Sequence, residues 1–160
     1  MLTNKHFIAA LLIAPILSII AYLATDIAVT EKPHPAIKGQ SYKMVSQSNC
    51  RYTSGLCNME NGDFKIKIRS EKIGDDQLEL SLRTEYAIDG VKLSIADSQT
   101  QNTPPTDMIP LDQAGKSWHI SLPKPNSSQS WLRVVVQFGG SLYYGETQTA
   151  FVKYETLFTD

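Results

Sequence analysis

Cysteine, histidine and tryptophan are scarce in this 160-residue chain, which has two, three and two of them. Two cysteines allow one disulfide and no cysteine-rich metal cluster. The three histidines, His6, His34 and His119, keep no ligand spacing to one another, so no zinc-type motif forms along the sequence. There is no Gly-rich phosphate loop, no Ser-His-Asp order within a supporting motif and no carboxylate pair at a recognisable cleft. The common routes to phosphoryl and acyl transfer are thereby missing. Asp75-Asp76, after Ile73-Gly74, reads as a solvated loop tip. An excess of one charge is missing too. From Pro33 onward 13 basic residues stand against 14 acidic ones, which leaves no basic stripe for nucleic acid. No catalytic residue, metal site or cofactor is expected, and nucleic acid is not an expected partner.

Only one long apolar run is present. Lys5 and His6 precede an uncharged stretch over residues 7–24 that closes at Thr25 and Asp26. Eighteen residues at helical rise reach about 27 Å, close to the roughly 30 Å hydrocarbon core of a bilayer. A removed signal peptide would want small residues at the first and third positions before the cut. Cuts after Ala24 or Ala28 would put Tyr22 or Asp26 at the third position, so a retained anchor is expected. The first cysteine lies far downstream, after Gln47-Ser48-Asn49 in place of an apolar lipobox. Pro15 in mid-span removes one helical hydrogen bond and is tolerated in membranes. Lys5 and the amino terminus on the short side, with Asp26 and Glu31 beyond the span, place the N-terminus in the cytoplasm. The expected organisation is a cytoplasmic tail over residues 1–6, a transmembrane helix over 7–25, a periplasmic stalk over 26–40 and a periplasmic domain over 41–160. Pro33 and Pro35 favour extended backbone in that stalk, and His34 between them reads as linker.

The outer part alternates with period two, the mark of half-buried strands. Phe64, Ile66 and Ile68 alternate with Lys65, Lys67 and Arg69, and Leu78, Leu80 and Leu82 with Glu79, Ser81 and Arg83. Val91, Leu93 and Ile95 form a third strand, Trp118, Ile120 and Leu122 a fourth, and Leu132, Val134, Val136 and Phe138 a fifth. Val135 on the opposite face of the fifth predicts a central strand covered on both sides. Asn61-Gly62 precedes Phe64, while Asp89-Gly90 and Gly139-Gly140-Ser141 predict hairpins. An early strand over 42–45 and a last one over 149–154 bring the count to seven or eight antiparallel strands. Polar loops are expected between Ser98 and Pro110 and between Pro123 and Ser130. The fold expected is all-β, an immunoglobulin-like antiparallel β-sandwich behind one transmembrane helix, with a small open barrel as the alternative.

Cys50 and Cys57 enclose six residues, with Gly55 to turn the chain. Outside the cytoplasm such a pair oxidises, and closing so short a loop stabilises by roughly 2.5 kcal/mol on the chain-entropy model. Redox dithiols usually enclose two residues and sit at a helix start, so a structural disulfide is expected. Met44, Met59 and Met108 with His119 are the residue types that suit cuprous copper, but they lack local spacing and read as core fillers. Of Tyr143 and Tyr144, one faces the core and the other away if both lie in a strand. Trp131 stands near a loop.

A single N-terminal span, a short stalk and a compact strand-rich domain, with Trp131-Leu132-Arg133-Val134-Val135-Val136 late in the chain, is similar in layout to the FixH-like accessory proteins of bacterial cytochrome oxidase assembly. Residues 50–68, a Cys-x6-Cys loop ending in Gly-x-Cys and followed by an Asn-Gly turn and an amphipathic strand, resemble small uncharacterised proteobacterial single-span membrane proteins. That group has no assigned activity, so the resemblance implies fold and topology and transfers no functional residue. The methionine-rich stretch and further downstream cysteine of some such proteins are missing here, which argues against copper. The expected function is a membrane-anchored periplasmic binding or accessory protein in the inner membrane, supporting assembly of a respiratory or other membrane complex, and not an enzyme. Its expected partners are the lipid bilayer through residues 7–25 and a membrane protein. The alternative is a redox or copper-handling protein using Cys50 and Cys57. A sandwich that binds carbohydrate or another small ligand would need an exposed aromatic platform.

Overall fold

The computed structural model describes residues 4–29 and 37–153. The chain divides into two compact units, one ending at Pro33 and one beginning at His34. In the first, helix α1 runs Lys5–Val29, without a break at Pro15. Its window Ile8–Thr25 has a mean hydropathy of 2.3, so it is long and apolar enough to cross a membrane. Ile8, Leu12, Ile16, Ile19 and Leu23 are all exposed, as befits a helix apolar all round. The helix continues through residues 26–29, the first part of the expected stalk, and residues 30–36 lie outside the described residues.

Among the described residues the second unit is a β-sandwich of eleven strands. These are β1 (Ser41–Lys43), β2 (Val45–Ser46), β3 (Leu56–Asn61), β4 (Phe64–Ile73), β5 (Gln77–Thr84), β6 (Gly90–Ala96), β7 (Thr106–Asp107), β8 (Ile109–Pro110), β9 (Ser117–Pro123), β10 (Trp131–Phe138) and β11 (Ser141–Gln148). One sheet has the order β1-β11-β10-β6-β7 and the other β2-β3-β4-β5-β9-β8. Within them β4-β5-β9-β8 reproduces the A-B-E-D order of an immunoglobulin sandwich and β6-β10-β11 its C-F-G order. Strands β1 to β3 precede that frame, and β7 extends its second sheet. All pairings are antiparallel except β1 with β11. Two separate sheets exclude the small open barrel.

Period-two alternation builds the core. Ile66, Ile68, Leu80 and Leu82 from one sheet meet Leu93, Leu132, Val134 and Val136 from the other. Each of these is fully buried, and burying a Leu, Ile or Val is worth about 1.5–3 kcal/mol. An aromatic group closes one end: Phe64 lies 4.2 Å from Tyr143 and 5.2 Å from Phe138 between ring centroids, with Tyr86 5.3 Å from Phe138. The chain enters the domain at this same end, where Gly39 N–H donates to Gly140 O at 2.8 Å and Ser141 Oγ donates to Ile37 O at 3.0 Å.

Four sequence expectations are corrected. Asp89-Gly90 makes no hairpin, because β5 already has β4 and β9 on its two sides and no backbone groups remain for β6. The chain instead arches to the other sheet, with Ile88 buried beneath the arch. The strand expected over 42–45 is broken at buried Met44 into β1 and β2, one in each sheet. The last expected strand, over 149–154, is a 3-10 turn at Thr149–Val152, which brings the adjacent Phe151 and Val152 both into the core, and Tyr154 lies outside the described residues. Strand β10 is central, between β11 and β6, but Val135 on its outer side is only half-buried. The Gly139-Gly140 hairpin forms as expected, with positive φ at both glycines.

Two methionines mark where the chain passes between sheets. Met44 separates β1 from β2 along one side of the sandwich, and Met108 separates β7 from β8 along the other. Both side chains point into the core, at 2% and 4% exposure. The edge strands they join are only two or three residues long.

Candidate functional site

Cys50 and Cys57 are joined as a disulfide. Cys50 lies in a 3-10 turn at Ser48–Arg51 and Cys57 in β3. Neither residue is exposed to solvent. The loop between them is held at many points. Ser54 Oγ contacts the carbonyls of Asn49 at 2.8 Å and Leu56 at 2.7 Å, and Asn58 N–H donates to Asn49 Oδ1 at 3.2 Å. Gly55, in the left-handed region at φ 70°, donates its N–H to Phe151 O and accepts from Ser70 N–H. The bridge thus ties the Ser48–Arg51 turn to β3, and the Gly55 hydrogen bonds tie the loop it closes to β4 and to the 3-10 turn at Thr149–Val152.

The other residues singled out in the sequence do not converge. Met44, Met59 and Met108 are core side chains, and His119 lies on β9 beside Ser81 and Ile109. Among the described residues no three His, Cys, Asp or Glu side chains are grouped to hold a metal ion. Tyr143 is buried and Tyr144 is 43% exposed on the opposite face of β11, as alternation requires. Burial pushes the Tyr143 hydroxyl pKa up, with the neighbouring Tyr42 adding to the shift. Asp112, by contrast, is held below the usual carboxylate range because its carboxylate accepts the Lys116 backbone N–H.

The outer face of the β2–β9 sheet carries the feature the sequence reading missed. Lys65, Lys67 and Arg69 point outward from β4, and β5 adds Arg83 directly opposite Lys67. Like charges facing each other across a strand pair cost stability. Lys65 pairs with Glu60 at 3.9 Å, whereas Lys67, Arg69 and Arg83 have no ion-pair partner among the described residues. Asn58 lies next to Lys67 in the same cross-strand row. Around Lys65, Lys67 and Arg83 runs a groove of about 520 Å³ lined also by Gln47, Asn58 and Thr84 and by the carboxylates Glu60 and Glu85. No aromatic residue lines it. Farther along the same rows, Ile109 and Leu111 are exposed at 65% and 63%. The signal was the alternation itself: three cations at i, i+2 and i+4 must share one face.

The outer face of the other sheet is strapped. Residues 97–105, expected only as a polar surface loop, lie over β6 and β10. The Arg133 guanidinium donates to the carbonyls of Gln101, at 2.7 Å, and Gln99. Glu146 receives the Gln99 amide at 2.8 Å and pairs with Arg133 at 3.6 Å. Ser94, which points outward opposite Arg133, is thereby buried.

No known protein family matches the chain, and no curated protein does. Among solved structures it is similar to the one titled "Crystal structure of Br derivative BhCBM56", at 14% identity and a TM-score of 0.36. That likeness covers 54% of this chain and 89% of the other.

Proposed function

We propose that this protein is a membrane-anchored binding module of the accessory kind, which holds an acidic partner on the outer face of its β2–β9 sheet. On this reading α1 is retained in the inner membrane with its N-terminus in the cytoplasm, as the positive-inside rule favours, and the sandwich faces the periplasm, where its disulfide persists. A membrane complex undergoing assembly is the partner in view.

One observation carries the reading. In a domain whose charges nearly cancel, Lys67 and Arg83 are set opposite each other with no ion-pair partner for either among the described residues, at a cost in stability that a partner's carboxylates would reverse. The alternative, redox or copper chemistry at Cys50 and Cys57, draws no support from a bridge with both residues buried.

The test is site-specific photocrosslinking in intact membranes. A crosslinking residue replaces Lys67, or Lys92 on the strapped sheet as the control. A discrete partner adduct at position 67, weakened by Arg83→Glu and by high salt, is the expected result. Equal adducts at both positions, or none at 67, would remove the reading.

A further inference from the structure

We infer that the groove takes one class of partner, an extended acidic peptide segment whose carboxylates fall on alternate residues. This inference rests on the docking face proposed above and specifies what lies on it.

Spacing carries the argument. Successive outward residues of a strand are about 6.6–6.8 Å apart, so Lys65, Lys67 and Arg69 form a straight ladder of cations with that repeat. An extended peptide presents every second side chain to one side with the same repeat. A segment laid along β4 with carboxylates on alternate residues therefore keeps step with the ladder, whereas a helix, whose same-face carboxylates at i and i+4 are about 6.0 Å apart along the axis and rotated by about 40° at each step, falls progressively out of step. Arg83, across from Lys67, adds a second donor to the middle rung, and a guanidinium grips a carboxylate with two parallel hydrogen bonds.

The surrounding groups set the limits of the site. Glu60 already engages Lys65, Glu71 is hydrogen-bonded to Ser81, and Glu85 also lines the groove. Glu79 lies opposite Lys72. The unpaired cations are thus Lys67, Arg69 and Arg83, which stand on two rungs because Arg83 shares the Lys67 rung, with Arg69 just outside the groove's lining and repulsion on either side against a longer acidic run. Gln47 and Asn58, joined amide to amide at 3.5 Å, offer polar contact to the peptide backbone. With no aromatic side chain in the groove, there is no stacking platform for a sugar ring.

Each exposed ion pair contributes only a small factor, so three together give roughly tenfold. The experiment uses the detergent-solubilised full chain and fluorescently labelled peptides read by anisotropy. One peptide alternates glutamate with serine over eight residues. A second has the same composition with its four glutamates contiguous, and an oligogalacturonate provides a polyanion without a peptide backbone. The alternating peptide is expected to bind at least threefold more tightly than the contiguous one. The advantage should vanish in Lys67→Glu/Arg83→Glu and persist in Lys92→Glu, with unchanged melting curves showing that the variants fold. Equal affinity for both peptides, tighter binding of the oligogalacturonate, or no binding of the alternating peptide overturns the inference. Adducts at position 67 in membranes, combined with any of these outcomes, would leave the docking face standing and remove only the peptide.

Discussion

A Cβ on Gly145 would stand 2.9 Å from the Met59 sulfur. Gly145, on β11, thus lets the two sheets approach where β2 and β3 lie close against it. Gly145→Ala should destabilise the domain by about 1 kcal/mol, since the buried Met59 side chain must shift, and Gly145→Val by about 2–3 kcal/mol. Met59→Ala alone should cost about 2–5 kcal/mol. Together, Gly145→Ala and Met59→Ala should cost less than the sum of the two. Urea titrations of the four proteins form the double-mutant cycle that checks this, and strict additivity would mean that the two residues do not touch.

Cys50→Ser/Cys57→Ser should lower stability by about 2.5 kcal/mol and leave the fold intact, because the bridge spans one loop of a domain with its own core. Both cysteines are out of reach of solvent, so mild reductant should leave the native bridge oxidised and open it only when urea unfolds the chain. Alkylation followed by mass spectrometry distinguishes the two, and ready reduction of the native protein would restore a redox role.

Tyr143 predicts how stability changes in alkali. Its folded-state pKa is raised by burial, so the neutral hydroxyl is the form the fold favours. The stabilisation is complete below the unfolded tyrosine value of about 10 and is lost as pH rises through the folded value. Urea midpoints should stay level up to about pH 10 and then fall, and the fall should be shallower in Tyr143→Phe.

Arg133→Ala should free the strap over the β10–β11 sheet without unfolding the domain. Amide exchange and proteolysis within residues 97–105 should speed up by about tenfold, whereas the global unfolding free energy from urea titration should fall by less than about 1 kcal/mol, the scale of exposed polar contacts. Equal changes across all segments would show that the strap and the core open together.

Much of this architecture was legible in the alternation of apolar and polar residues. Ile66 and Ile68, Leu80 and Leu82, and Val134 and Val136 face inward as their period requires, and the Gly139-Gly140 turn closes the expected hairpin. The pairing partners were harder to read. Asp89-Gly90 carries the same turn chemistry as a hairpin, but a local signal does not report that both sides of β5 are taken. The strap escaped notice because Gln99 and Gln101 are held through backbone carbonyls that every residue possesses. In the candidate site, the disulfide followed from compartment and spacing. The cationic cluster proposed as a docking face did not, because Lys67 and Arg83 become neighbours only once strands β4 and β5 are set in register.

Met44 and Met108 stitch the two sides of the sandwich, and the consequence concerns the company of like molecules. A sheet that ends in a long strand leaves a row of amides and carbonyls on which another copy can template. Here the outermost strand on each side is only two or three residues long, so each hem it offers to a neighbouring copy is short.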